Sequence, residues 1–198
     1  MLEAGFDEVK EISAKITAEL KHLRDTKSLA FNAAYCAGFE TIATFGAKYI
    51  YEQCDDYLED ADPQGANLFL WHVAEEFEHR AVCHDACKVV SSSEFMRLYG
   101  LFYAFAHLAK CFGWAINAVR QNYWKNLTAA QRKASARESN YLLVKQMIYL
   151  LPRMAKIVLP WYDPAKLPMP PRVTAALKFF ETGDPVTTRY DQTVTQAA

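Results

Sequence analysis

The sequence is poor in helix breakers: its 198 residues contain 7 glycines and 8 prolines, and five of the prolines (Pro160, Pro164, Pro168, Pro170, Pro171) crowd into twelve residues. Long stretches are left free to be helical, which argues against a many-turned β fold. Charge of one sign is lacking as well, since 22 Lys and Arg face 23 Asp and Glu for a net charge of -1. No overall basic field exists to recruit nucleic acid, and nucleic acid is not an expected partner. The five cysteines, Cys36, Cys54, Cys83, Cys87 and Cys111, are odd in number and form no C-x-x-C pair, so neither a disulfide framework nor a zinc ribbon is expected. The opening MLEAGFDEVKEISAK is acidic and has no apolar core of a secretory signal, which makes a reducing cytoplasm the expected location. Uncharged runs are short: Leu98 to Ala109 and Cys111 to Val119 are separated by Lys110. Each falls below the ~20 residues of a spanning helix, so the segment 95–119 suits a core helix or a peripheral membrane contact. No G-x-S-x-G, Walker or G-x-G-x-x-G pattern occurs, which removes serine-hydrolase and nucleotide readings.

What is present is a folded composition, 52% hydrophobic and 23% charged, in a chain long enough for one core. Val9, Ile12, Ile16, Leu20 and Leu23 give an amphipathic helix from Asp7 to about Arg24. A second helix is expected from the N-cap Ser28 to near Tyr57, closed by the acidic turn 59–65. A third runs from about Ala66 to Val90, and a fourth, aromatic one from Phe95 to Trp124 with its Phe and Tyr stripe in the core. Thr128 and Gln131 form the capping box of a fifth that ends between Pro152 and Pro160. A short helix from Val173 to Phe180 follows the proline-rich loop. The reading is an all-α bundle forming a single helical domain, 1–181, with a polar tail, 182–198, expected to be disordered.

The chemically informative segment is Trp71-His-Val-Ala-Glu-Glu-Phe-Glu-His-Arg80. At about 100° per residue, His72, Glu75, Glu76, Glu78 and His79 share an arc of roughly 160°, and Cys83 extends the row. Apolar residues flank this stripe on both sides. Glu76-x-x-His79 sets a carboxylate and an imidazole one turn apart, the way one helix of a carboxylate-bridged bundle grips a metal ion. In the second helix Glu40 is the one charge between Lys27 and Lys48, among small neighbours. A buried ionised carboxylate there costs several kcal/mol unless paired, protonated or bound to a cation. Glu40, Glu76 and His79 could converge on one ion, a donor set suited to iron, manganese or zinc. Glu75, His72 or Glu78 would orient these ligands or act as general base. The other reading makes Glu40 a protonated or hydrogen-bonded core acid, reached by Asn32 or a tyrosine.

The string LFLWHVAEEFEHRAVCHD, preceded by GFETIATF, resembles the bacterial family of predicted metal-dependent hydrolases, whose fold is similar to ferritin-like four-helix bundles. Trp71, His72, Glu75, Glu76, Glu78, His79, Val82 and Asp85 follow the family pattern, Glu40 fits its preceding single-Glu helix, and Tyr162-Asp-Pro164 with Pro168 resembles its proline-rich loop. The resemblance implies a divalent metal and a hydrolase; a ferritin-like di-iron site would equally suit an oxidoreductase or oxygenase. It also implies a second Glu and a second Glu-x-x-His from two helices upstream of the matched region, so the bundle is expected to be incomplete. Glu19-x-x-His22, off the apolar stripe and among Lys15, Lys21 and Arg24, is expected to be solvated surface. The chain would then bind one ion with water in the open positions, complete its half-site with a second copy or a separate chain, or serve as a shortened, non-catalytic interaction module. Cys83 and Cys87 are expected to be small core residues, and His107 a satisfied core histidine.

Overall fold

A computed structural model describes residues 8–58 and 60–182, and these are mostly helical, with no strand among them. The elements are α1 (Glu8–Thr26), α2 (Leu29–Gln53), α3 (Asp55–Leu58), α4 (Pro63–Glu78), α5 (Val82–Val90), α6 (Glu94–Trp124), α7 (Ala129–Met154) and α8 (Pro171–Thr182), with 3-10 turns at Ala155–Val158 and Pro164–Lys166. The all-α expectation holds. The tail from residue 183 lies outside the described residues.

Local chemistry sets the ends. Ser28 Oγ accepts from the Phe31 amide at the start of α2, and Ser93 Oγ from the Met96 amide at the start of α6. Thr128 and Gln131 bond reciprocally ahead of α7, Gln131 N–H to Thr128 Oγ1 at 3.3 Å and Thr128 N–H to Gln131 Oε1 at 2.9 Å, as the capping-box spacing requires. The expected continuous helix from Ala66 to Val90 is broken at 79–81. His79 caps α4 with φ -79° and ψ 2°, and a new helix starts at Val82. This break decides the geometry of the candidate site.

The chain divides into two compact units, Met1–Phe39 with Cys87–Ile148, and Glu40–Ala86 with Tyr149–Ala198. In the first, α1 packs on α6, with Leu23 as the buried residue of α1. Here α2 and α6 also approach closely: a Cβ on Gly100 would stand 2.4 Å from the Ala34 carbonyl carbon, and one on Gly38 would stand 2.7 Å from Leu101 Cα. The aromatic stripe of α6 departs from the core expectation. Gly100, Leu101, Ala104, His107, Cys111 and Ala118 are its buried line, whereas Phe95, Phe102 and Phe112 are 78%, 60% and 59% exposed. A helix with aromatics all round buries only the arc its neighbours cover.

In the second unit Ala47 and Tyr51 of α2, Leu70, Val73, Ala74 and Phe77 of α4, and Val173 and Ala176 of α8 form one apolar cluster. Tyr51 O–H donates to the Leu70 carbonyl at 2.7 Å, and Arg172 Nη1 to the Tyr51 carbonyl at 2.8 Å. The Tyr51–Leu70 and Glu40–Cys83 pairings place α2 antiparallel to the 63–86 segment, as the intervening turn predicts.

Candidate metal centre

Asp62 caps α4 by accepting from the Gly65 amide at 2.8 Å, and Pro63 fits the first turn, where its missing N–H costs nothing. Ala66, Leu70, Val73, Ala74 and Phe77 are then buried, and His72, Glu75, Glu76 and Glu78 fall on the remaining arc. The stripe is apolar on both sides, as expected, but only one side is covered: Leu68, Trp71 and Val82 are 66%, 40% and 61% exposed. Glu75 and Glu76 are half-buried; His72, Glu78 and His79 are exposed.

Glu40 is buried at 7% exposure. Its Oε2 accepts the Cys83 amide at 2.8 Å. That amide belongs to the first turn of α5, where N–H groups have no intrahelical acceptor, so the break after α4 provides the donor that a continuous helix would have consumed. Burial pushes the Glu40 carboxyl above its ordinary range; the backbone and thiol of Cys83 oppose this, Glu76 adds to it and His79 reduces it. The charges of Glu76 and His79 reach Glu40, but among the described residues the donor atoms of these three do not gather within 4.8 Å of one another. His72 Nε2 lies 3.5 Å from Glu76 Oε1. Glu40 is thus a buried, hydrogen-bonded acid, as the other reading had it, but with the Cys83 amide and thiol as partners in place of Asn32 or a tyrosine. A carboxylate, a second carboxylate and an imidazole are the donor types of a divalent-cation site; here they would have to move closer together to share one ion.

One helical turn from Glu40, and tied to it by the Thr44 hydroxyl donating to the Glu40 carbonyl at 2.8 Å, a cavity of about 280 Å³ opens. Phe45, Phe77, Leu167 and Pro168 supply apolar wall, and Lys48, Arg153, Lys156 and Lys166 supply positive charge. Lys48 is engaged with Glu52 and Lys166 with Asp163 at 3.5 Å.

A second group of donors was not foreseen as a site. Among the described residues, potential ligand atoms of Glu19, His107 and Cys111 all lie within 4.8 Å of one another. His107 is the satisfied core histidine expected of it: Nδ1 pairs with the Tyr35 hydroxyl at 2.7 Å and Nε2 with Glu19 Oε2 at 2.9 Å. Glu19, expected to be solvated, is instead half-buried and held by His107 and the Lys110 ammonium; His22 is exposed as expected. The Lys110 hydrogen bond, with that of His107, draws the Glu19 carboxyl below its usual range against the effect of burial. The one local hint was His107-x-x-x-Cys111, a one-turn spacing on α6; Glu19 lies 88 residues from His107 and no periodicity could pair them.

No helix among the described residues is long and apolar enough to cross a membrane. No curated protein and no solved structure gives a significant match to the chain. A family model does: that of the predicted metal-dependent hydrolases matches residues 1–167, and it includes both donor groups. The chain belongs to the predicted metal-dependent hydrolase family.

Proposed function

We propose that the chain is a hydrolase whose divalent metal is held by Glu40, Glu76 and His79, in a ferritin-like arrangement of α2 and α4. The observation that carries this reading is the buried carboxylate of Glu40, fixed at the α4–α5 junction where Glu76 and His79 act on its charge. A bound divalent ion supplies Lewis acidity and a water acidic enough to ionise near neutral pH. His72, solvent-facing and beside Glu76, orients that carboxylate and takes up the proton released; Glu75, half-buried at the preceding position, is the second group able to accept it. The neighbouring cavity suits an apolar substrate carrying a carboxylate or phosphate. Its wall is largely aromatic and aliphatic; with Lys48 and Lys166 paired to carboxylates, the cations for the anion are Lys156 and Arg153, which also donates to the Tyr149 carbonyl at 2.8 Å and lies over its ring.

The test is elemental analysis of protein purified without chelator and then reconstituted with iron, manganese or zinc, together with hydrolysis of nitrophenyl esters of a dicarboxylic acid. About one ion per chain is expected in addition to any bound elsewhere, with this increment and the ester activity lost in Glu76→Gln and His79→Ala. A folded Glu76→Gln protein with undiminished metal and activity would sink the reading. Arg153→Gln should raise KM about tenfold or more and leave kcat nearly unchanged, since it removes one charged contact to a bound anion.

A further inference from the structure

We propose that Glu19, His107 and Cys111 form a separate zinc-type site that clasps α1 to α6, with His22 as the fourth donor. The four residues come as two one-turn pairs on packed helices: Glu19 and His22 at i,i+3 on α1, and His107 and Cys111 at i,i+4 on α6. Glu19, His22 and His107 line one cavity of about 370 Å³, and a ligand atom of Cys111 lies within 4.8 Å of those of Glu19 and His107.

The distances suit a small tetrahedral ion. With metal–nitrogen and metal–oxygen bonds of about 2.0–2.2 Å, tetrahedral ligands stand roughly 3.4 Å apart. His107 Nε2 and Glu19 Oε2 are 2.9 Å apart, so a separation of about half an ångström admits an ion between them. A thiolate, an imidazole and a carboxylate select zinc or cobalt over magnesium or calcium. Tyr35 supplies the orientation such sites require: its hydroxyl meets Nδ1 of His107 at 2.7 Å, and burial pushes its own ionisation up to about 12, so it stays a neutral hydrogen-bonding partner. In the metal-free protein Tyr35 O–H donates to Nδ1 while Nε2–H donates to Glu19. With an ion on Nε2 the ring proton moves to Nδ1 and donates to the Tyr35 oxygen, and the Cys111 thiol loses its proton to solvent.

Lys110 occupies the Glu19 carboxylate in the metal-free state and competes with the ion. The need for a clasp lies in α1, which buries Leu23 and little else and gains attachment when Glu19 is tied to α6.

The experiment is titration of the full chain with cobalt, then zinc, following the near-ultraviolet sulfur-to-cobalt charge-transfer band. Wild type should show the band at about one thiolate-bound ion per chain, displaced by zinc. Cys111→Ser should abolish it, while Cys83→Ser and Glu40→Gln, which alter the other site, should keep it. Lys110→Gln, an exposed change that leaves the core intact, should tighten cobalt binding at least severalfold. Absence of the band in wild type, its survival in Cys111→Ser, or unchanged or weaker binding in Lys110→Gln would each overturn the proposal. A Cys111→Ser protein that loses its helical circular dichroism transfers the decision to Lys110→Gln and His22→Gln, the latter expected to weaken binding with the fold retained.

Discussion

A single carboxylate, Glu40, shows most plainly what burial of a charge costs this chain. Burial raises its pKa above the ordinary 4.5, and the main-chain amide and thiol of Cys83 only partly compensate. A folded-state pKa above the unfolded value means that the protonated form is favoured by folding. Its stabilisation is full below the unfolded pKa and is lost as pH rises through the folded one. Glu19 has the opposite sign: its pKa is lowered, chiefly by Lys110, so its contribution is present above 4.5 and disappears as pH falls through the folded value. Metal-free protein should therefore gain stability as pH drops from neutral toward the upper carboxylate range and lose it on further acidification. Thermal melts across pH, with and without chelator, check this. Glu40→Gln should stabilise the chelated protein by on the order of 1 kcal/mol, remove the gain on mild acidification, and cancel the stabilisation conferred by added metal. A lower melting temperature for Glu40→Gln in chelator would show that its charge is needed for folding.

Individual helices carry two features with measurable consequences. The approach of α2 and α6 depends on the missing Cβ at Gly100, where an added carbon meets the Ala34 main chain at 2.4 Å. Main chain cannot move aside as a side chain can, so Gly100→Ala should cost about 1–3 kcal/mol despite the better helix propensity of alanine. Chemical denaturation of the variant decides it; a neutral or stabilising result means that α2 and α6 are not in tight contact. The α4–α5 break is the other feature. It carries His79 out of regular helix and presents the Cys83 amide to Glu40, turning a helix end into part of the candidate site.

At the scale of the whole molecule, the two proposed sites fall in different compact units, Glu19, His107 and Cys111 in the first and Glu40, Glu76 and His79 in the second. Metal should then protect amides of two separate segments from hydrogen exchange, those of α1 and those around 76–85. Cys111→Ser should erase only the first pattern, and Glu76→Gln only the second. Mass-spectrometric exchange with and without zinc reads both. A single pattern lost in both variants would mean one shared site. The sequence by itself determined the helical class, the caps at Ser28 and Thr128, and the shared arc of His72, Glu75, Glu76 and Glu78 on α4, because these follow from local spacing, hydrophobic period and side-chain chemistry near in the chain. It also marked Glu40 as a charge in need of a partner. Only the tertiary structure decided which partner that was, where the Ala66–Val90 helix would break, that Glu19 meets His107 across 88 residues, and which aromatics of α6 are covered. Those outcomes depend on which surfaces approach one another, and no local period encodes an approach between elements distant along the chain.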